Sequence, residues 1–154
     1  MKSKKLYTLC FIVDPTRILL AMKKRGFGVG KWNGYGGKVT DGETIEAAAE
    51  REIMEEGGIR VKDLSKIGVN TFEFTGNPVL LEVHVFKSTS FEGEPIETEE
   101  MKPQWFSLDA IPYKEMWKDD PFWLPIFLSG KIFEGKFLFD ETGDKVLKHE
   151  VKDI

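Results

Sequence analysis

The glycine content of residues 26–42 limits what this part of the chain can fold into. Seven glycines fall within this stretch, and so many would destabilise a regular helix or strand. Residues 44–56, in contrast, contain neither Gly nor Pro and are rich in Ala and Glu. Gly57 and Gly58 follow them, and paired glycines favour a helix end. The sequence therefore predicts an irregular loop whose backbone can approach a ligand closely, followed by a helix over 44–56.

Alternating and apolar runs predict strands on both sides of this helix. Short polar turns divide them into three hairpins: 6–13 with 18–22, 66–74 with 79–87, and 132–139 with 145–151. The acidic residues 91–100 predict a loop, and residues 104–108 predict a short strand. Asp120 stands directly before a proline, which predicts that it caps a helix over 122–128. Pro125 is expected to shorten or distort this helix.

The composition is that of one globular domain spanning residues 1–154. A chain of 154 residues with 41% hydrophobic residues can bury a sizeable core. A formal net charge of −4 argues against binding to a nucleic acid polymer, whose phosphates are also negative. The single cysteine, Cys10, excludes an intramolecular disulfide and favours a reducing compartment. We therefore expect a cytoplasmic monomer, with nuclear and mitochondrial pools left open.

The first residues resemble the start of a signal peptide. Basic residues precede the apolar run 6–13, but no cleavage site of small residues follows, so a first strand is the better interpretation. No segment approaches the roughly 20 apolar residues of a membrane span. The sequence therefore predicts no attachment to a membrane.

Three glutamates share one face of the predicted helix. Glu52, Glu55 and Glu56 are spaced i, i+3, i+4, which places their like charges within reach of one another. Taken alone, they are typical of an exposed acidic helix face. Next to a loop rich in accessible carbonyl groups, however, these oxygens favour a hard cation such as Mg²⁺ or Mn²⁺. Such a cation bridges phosphate oxygens and activates water.

The spacing of these glutamates resembles the Nudix box, GX5EX7REUXEEXGU, in which U is bulky and apolar. Its fixed positions are occupied here by Gly37, Glu43, Arg51, Glu52, Ile53, Glu55, Glu56, Gly58 and Ile59. So many fixed residues at set spacing make the motif far more specific than a short glycine pattern. The resemblance implies an α/β fold, an α/β/α sandwich with a central mixed sheet. It also implies hydrolysis of a nucleoside diphosphate linked to another group.

The resemblance also implies roles for individual residues. The implied Mg²⁺ ligands, with Mn²⁺ as a substitute, are the carbonyl of Gly36 or Gly37 and the carboxylates of Glu52, Glu55, Glu56 and, from a later loop, Glu100. Glu56 would also act as the catalytic base for the attacking water. Glu52 and Arg51 would complete the catalytic set, and Glu43 would hold the loop against the helix. Members of the family differ in the residue that serves as the base, so that role stays open.

Segments outside the box resemble the Nudix branch that acts on oxidised purine nucleoside triphosphates. These segments are 6–9, 22–28, 30–39, 72–74, 83–86, 99–101 and 116–123. A purine has flat faces and a polar edge, so its pocket needs aromatic walls and a few directed hydrogen bonds. The implied substrate-binding residues are Thr8, Lys23, Phe27, Asn33, Tyr35, Gly36, Gly37, Lys38, Phe72, Phe74, Leu81, Met101, Trp117, Lys118, Asp119, Asp120 and Trp123.

The adjacent Asp119 and Asp120 allow two interpretations. From the residues alone, Asp120 is a helix cap and Asp119 a solvated neighbour. In a desolvated pocket, two close carboxyl groups cannot both ionise readily, so one can donate a hydrogen bond while the other accepts. Such a pair can read the polar edge of either guanine or adenine derivatives. The family resemblance favours this second interpretation.

The expected activity is hydrolysis of oxidised or modified purine (deoxy)nucleoside triphosphates to the monophosphate and pyrophosphate, which would remove damaged nucleotides from the pool. The sequence gives no order among 8-oxo-dGTP, 2-hydroxy-dATP and methylated purines. One alternative is a Nudix hydrolase for dinucleoside polyphosphates or ADP-ribose, and Asp119 and Asp120 argue against it. Another alternative is a Nudix module that binds nucleotides without catalysis. The presence of all three glutamates, Glu52, Glu55 and Glu56, argues against it.

Overall fold

A mixed sheet with a helix on each face dominates the computed structural model, which describes residues 3–154. Two short 3₁₀ turns, Leu108–Ala110 and Tyr113–Glu115, precede the second helix. The strands and helices are β1 (Ser3–Val13), β2 (Arg17–Lys23), β3 (Trp32–Asn33), α1 (Ile45–Gly57), β4 (Arg60–Val61), β5 (Ser65–Phe74), β6 (Val79–Ser88), β7 (Phe91–Glu92), β8 (Met101–Ser107), α2 (Asp120–Leu128), β9 (Phe133–Phe139) and β10 (Val146–Asp153).

The sheet contains both parallel and antiparallel pairs. Its order is β10-β9-β5-β6-β1-β2-β3, and β8 also pairs with β2. The pairs β1–β6 and β5–β9 are parallel, whereas the other pairs of this sheet are antiparallel. Strands β4 and β7 form a separate two-stranded sheet. The predicted α/β class with a central mixed sheet is therefore confirmed.

Alternate residues of β1 enter two different cores. Cys10 and Ile12 pack in a cluster that includes Ile53 of α1. Phe11 packs in a second cluster that includes Trp123 of α2. Because successive strand residues point to opposite faces of a sheet, the two helices lie on opposite faces. This is the predicted α/β/α sandwich.

Helix α1 begins and ends close to the predicted positions. The Thr44 hydroxyl caps its first turn by accepting a hydrogen bond from the amide of Ala47 at 3.1 Å. Gly58 ends the helix with φ 68°, a left-handed conformation that glycine adopts without strain. The three predicted hairpins are also confirmed. The sequence missed β3 in the glycine-rich loop, β4 directly after α1 and β7 in the acidic loop.

The predicted cap of α2 is wrong. The helix begins at Asp120, so the preceding Asp119 is the capping residue, and no side chain caps the helix by a hydrogen bond. Asp119 is also not solvated, since only 3% of it is exposed. The helix passes through Pro125 and ends at Leu128, which agrees with the short length expected from an internal proline. Within residues 3–154, no helix has the length and apolar character needed to cross a membrane.

Asn70 is a buried amide with a measurable stability cost. It is fully buried in β5, and its Oδ1 occupies the space that a side chain at Gly135 would fill. Neither amide atom has a hydrogen-bond partner among residues 3–154. Replacing an unpaired buried amide with an apolar group of similar size removes a desolvation penalty, so Asn70→Leu should raise the free energy of unfolding by about 1–3 kcal/mol.

Urea denaturation measures this change as an increase in midpoint at constant slope. The truncation Asn70→Ala is the control, because it removes the amide but leaves a cavity and should gain less. An unchanged or lower midpoint for Asn70→Leu would show that the amide is satisfied in solution.

Candidate active site

The glutamate face of α1 contacts the backbone of the glycine-rich loop directly. The amide of Gly36 donates a hydrogen bond to Glu56 Oε1 at 2.9 Å. A Cβ atom at Gly37 would lie 2.6 Å from Glu52 Oε1, and one at Gly36 would lie 1.9 Å from the carbonyl oxygen of Thr8. Both distances exclude a side chain at these positions without movement of backbone or carboxylate. The loop therefore packs directly against β1 and α1, and its predicted close approach to a ligand stays a prediction.

Backbone hydrogen bonds fix the same loop to β1. The Thr8 amide donates to the Gly37 carbonyl at 2.9 Å. Cys10 and Tyr35 exchange two bonds, with N···O distances of 2.6 and 2.9 Å. The loop is therefore an extension of the sheet rather than a free segment, and the glutamates that contact it share this support.

Arg51 connects the loop to the carboxylates of the helix. Its guanidinium donates two hydrogen bonds to Glu43, at 2.9 and 2.8 Å, and holds the pKa of that carboxyl at about 2. The same group donates to Glu52 at 2.9 Å and to Glu55 at 3.2 Å. Glu43 also accepts from the backbone of Thr40 at 2.9 Å. This geometry suits the roles that the family resemblance implies for Arg51 and Glu43 in orienting the glutamates and holding the loop.

The carboxylates on this face raise one another's pKa. Burial, followed by the charges of Glu52 and Glu100, raises the pKa of Glu56 to about 7. Burial raises the pKa of Glu52 as well, with Glu55 and Glu100 adding to it. The side chain of Glu100 itself is exposed and lies 3.4 Å from the guanidinium of Arg25. Glu100 therefore acts on the helix glutamates through its charge rather than by contact in this arrangement.

The donor set of this face fits a divalent cation. It consists of carboxylate oxygens and nearby backbone carbonyls, and negative charge exceeds what Arg51 neutralises. In the part of the chain that the structure describes, no three His, Cys, Asp or Glu side chains already form a metal site. Arg51 lies between two of the proposed ligands, Glu52 and Glu55. Cation binding would therefore require these side chains to rearrange around Arg51.

A cavity of about 270 Å³ connects this face to the predicted base-binding residues. Glu56 lines it together with both aspartates of the pair at 119–120. The predicted substrate-binding residues that line it are Thr8, Lys23, Phe27, Asn33, Gly36, Gly37, Phe72, Phe74, Leu81, Met101, Trp117, Asp119 and Asp120. We call this space the base cavity.

Four other predicted substrate-binding residues do not line the base cavity: Tyr35, Lys38, Lys118 and Trp123. Tyr35 is buried against Gly57, where an added Cβ atom would lie 2.8 Å from the tyrosine ring. Burial, followed by the charge of Glu56, raises the pKa of Tyr35 to about 12. Trp123 is 1% exposed and packs in the core between the sheet and α2. Both lysine side chains are exposed. Trp123 can therefore affect the cavity only through its neighbours.

Asp119 and Asp120 are buried together at the wall of the base cavity. They are 3% and 2% exposed. Trp123 Nε1 donates to Asp119 Oδ2 at 2.7 Å, whereas Asp120 Oδ2 has no protein partner within residues 3–154. Burial raises the pKa of Asp119 to about 6, and burial together with the charge of Asp119 raises the pKa of Asp120 well above its ordinary value. A protonated Asp120 beside an ionised Asp119 supplies one donor and one acceptor.

The base cavity is also lined by residues that the sequence did not predict for it: Tyr7, Leu9, Gly28, Lys31, Gly34, Val83 and Phe139. Most lie on predicted strands, where alternation identifies two faces but not which of them meets a ligand. No sequence pattern predicted that Lys31 lines the cavity. Its ammonium group lies over the ring of the distant Trp117, with 5.3 Å between Lys31 Nζ and the ring centroid.

Comparison with known proteins places the chain in a family. A model of the NUDIX domain matches residues 4–126. The "Oxidized purine nucleoside triphosphate hydrolase" of Mus musculus is 49% identical over 154 residues, which cover all of this chain and 98% of the mouse protein. The protein of the same name from Danio rerio is 51% identical with the same coverage.

A solved structure agrees with this placement. The mutator MutT protein from Bacillus halodurans superposes with a TM-score of 0.85 at 27% identity, covering 96% of this chain and 97% of that one. The match to the family model extends over the glycine-rich loop, the glutamate helix and the paired aspartates. The chain belongs to the Nudix family.

Proposed function

We propose that the chain hydrolyses oxidised or otherwise modified purine (deoxy)nucleoside triphosphates to the monophosphate and pyrophosphate. One observation carries this proposal: the base cavity joins Glu56 and the glycine-rich loop to two buried aspartates and aromatic walls. The names of the full-length mouse and zebrafish relatives support the same substrate class. A cavity lined by apolar rings with a few convergent polar groups is typical of a site for a flat heterocycle.

The proposed reaction breaks the anhydride bond between the α- and β-phosphates. The oxygen of water forms a new bond to phosphorus, and its proton passes to a base. Glu56 is suited to accept that proton, because its carboxylate lines the base cavity beside the glycine-rich loop. The Gly36 amide fixes the Glu56 carboxylate, and Lys23 on the same cavity wall offers positive charge to the phosphates.

Nudix hydrolases generally use a divalent metal, and we propose Mg²⁺, with Mn²⁺ as a substitute. Glu52, Glu55 and Glu56 would hold it with a carbonyl of the glycine-rich loop, and Glu100 could approach from its exposed position. When bound, the cation supplies charge neutralisation for the phosphates and lowers the pKa of water. Arg51 orients the glutamates, two of which it already contacts.

Base selection is proposed to rest on the aspartate pair. With one proton on Asp120, the pair donates and accepts, which matches the alternating donors and acceptors of a purine edge. Asn33 provides a second amide that can do both. The half-buried rings of Phe72 and Trp117 would contact the base faces.

Steady-state hydrolysis with Mg²⁺ tests this proposal, with products separated by chromatography. The substrates are 8-oxo-dGTP, 2-hydroxy-dATP, O6-methyl-dGTP, dGTP and ADP-ribose. We expect kcat/KM for at least one modified purine triphosphate to exceed that for dGTP and ADP-ribose by more than about tenfold. Equal rates across the panel, or a preference for ADP-ribose, would contradict the proposed substrate class.

A further inference from the structure

Lys23 and Lys31 lie side by side on the wall of the base cavity. The antiparallel register that pairs Met22 with Trp32 places the two lysines opposite each other at the next position. The Lys23 amide donates a hydrogen bond to the Lys31 carbonyl at 3.2 Å. Side chains directly opposite on antiparallel strands point to the same face, and like charges in such a pair repel each other. The backbone therefore brings two ammonium groups to one wall of the cavity.

Within residues 3–154, neither of these lysines forms a salt bridge. The neighbouring Lys24 and Arg25, in contrast, pair with glutamates of the loop at 97–100. Lys31 Nζ lies 5.3 Å from the ring centroid of Trp117, a contact that is weak at a partly exposed site. Because both lysines are half-buried and their charges face each other, the wall favours an anionic ligand.

The position of Lys23 indicates which anion the pair binds. Lys23 and Glu56 both line the base cavity. Burial raises the pKa of Glu56, and the positive charge of Lys23 opposes this rise, so the two groups lie within electrostatic reach of each other. In the proposed reaction, the bond between the α- and β-phosphates lies opposite Glu56. The anion near Lys23 is therefore a phosphate next to that bond.

The α-phosphate fits the lysine pair better than the outer phosphates do. It is attached directly to the sugar and so lies closest to the base cavity, whereas the β- and γ-phosphates continue past the bond that breaks. Hydrolysis leaves the α-phosphate as a monoester, which carries a charge of about −1.5 to −2 at pH 7. Two ammonium groups can balance that charge, so the same pair suits the monophosphate product.

We propose that Lys31, together with Lys23, binds the α-phosphate of the substrate and holds the monophosphate product after the anhydride bond has broken. This inference rests on the proposed function and assigns the phosphate-binding role to a residue outside the glutamate helix. Each ammonium group has three donors, and hydrogen bonds between an ammonium group and a phosphate are stronger than those between neutral groups. Phosphate binding also relieves the repulsion between the two lysines.

Ligand binding in the presence of EDTA tests the role of Lys31 without a cation and without turnover. Calorimetry gives the Kd of the nucleoside 8-oxo-deoxyguanosine and the Kd of 8-oxo-dGMP. The nucleoside Kd divided by the monophosphate Kd, which we call the phosphate ratio, measures what the phosphate contributes. The glutamates of α1 repel the phosphate in the original chain and in the variants alike, so a change in the phosphate ratio reports on the substituted lysine.

Lys31→Met removes the charge and keeps the apolar stem. We expect it to lower the phosphate ratio at least about fivefold, the effect of losing a charge-assisted hydrogen bond. Lys31→Arg keeps the charge and should retain the phosphate ratio within about twofold. Lys136→Met is the matched control, because Lys136 is an exposed residue of β9 that does not line the base cavity.

A smaller decrease of the phosphate ratio in Lys31→Met, or an equal decrease in the control, would overturn the proposal. If Lys31→Met weakens the binding of nucleoside and monophosphate equally, Lys31 acts on the base through Trp117 and not on the phosphate.

Product inhibition in the presence of Mg²⁺ identifies the phosphate that the lysines bind. In Lys31→Met, the inhibition constant of 8-oxo-dGMP should rise at least about fivefold, while that of pyrophosphate should change less than about twofold. Pyrophosphate contains the β- and γ-phosphates, so the opposite pattern would overturn the assignment to the α-phosphate. Failure of the proposed function gives a different result, because the original chain would then hydrolyse none of the modified purine triphosphates.

Discussion

Replacing Glu56 by Gln is expected to lower kcat by about 100- to 10,000-fold, the range that general-base catalysis contributes. Gln keeps the size of Glu56 and can still accept the hydrogen bond from the Gly36 amide, but its amide cannot take a proton from water. Turnover is measured at saturating Mg²⁺, so that weaker cation binding does not limit the rate. Calorimetry with a non-hydrolysable triphosphate should show little change in Kd.

Glu46→Gln is the matched control for this experiment. Glu46 lies in the first turn of the same helix and is exposed, so its loss of charge should leave kcat unchanged. If Glu56→Gln keeps kcat within about tenfold of the original chain, another group accepts the proton. Glu52 would then become the first candidate, because it also has a raised pKa and contacts the glycine-rich loop.

Replacing Asp119 by Ala is expected to lower kcat/KM for 8-oxo-dGTP by about 100-fold or more, because a site built to pair a polar edge loses that pairing. The same change should lower kcat/KM for dGTP less, so the preference for the modified base shrinks. Asp144→Ala, in the exposed β9–β10 turn, is the control. Retention of the full preference in Asp119→Ala would contradict the assignment of base selection to the pair.

The isosteric variant Asp119→Asn adds a test by pH. The pKa of Asp119 rises from about 3.9 in an unfolded chain to about 6 in the folded protein. The folded state therefore binds more protons between these values, and its stability falls as pH rises through this window. Asn cannot ionise and can still accept from Trp123. The variant should match the original chain in free energy of unfolding near pH 4 and exceed it above pH 6.

Urea denaturation across this pH range measures the difference. A constant difference from pH 4 to pH 8 would mean that Asp119 titrates normally in the folded protein. The Asp119 carboxyl would then be solvated. Burial of the pair would no longer explain a proton on Asp120 beside an ionised Asp119.

Local patterns were enough to predict α1 and the glycine-rich loop. The absence of Gly and Pro between Thr44 and Gly57 and the side-chain cap at Thr44 depend on residues within one or two turns of each other. Such features can be predicted from the sequence because the interacting groups are near neighbours along the chain.

The aspartate pair and the aromatic residues show where sequence is not enough. Asp120 has the pattern of a helix cap, and only the packing of α2 against the sheet explains why both carboxyl groups are buried instead. Tyr35 and Phe72 are both aromatic residues in glycine-rich or alternating segments, yet one enters the core on the α1 side and the other lines the base cavity. Their faces depend on strand register between distant segments.

Strand β1 sets the distance from the base cavity to the glutamate helix. Tyr7 and Thr8 line the base cavity, and the amide of Thr8 also holds Gly37, which contacts the glutamate helix. The strand is itself held in register with β6 from Ser3 to Ile12. The span between base and reactive carboxylates is therefore fixed by the paired strand and by its hydrogen bond to the glycine-rich loop. A nucleotide that lacks only the γ-phosphate keeps its α–β bond at the same distance from the base, so this span selects which bond faces Glu56 and not how many phosphates follow that bond.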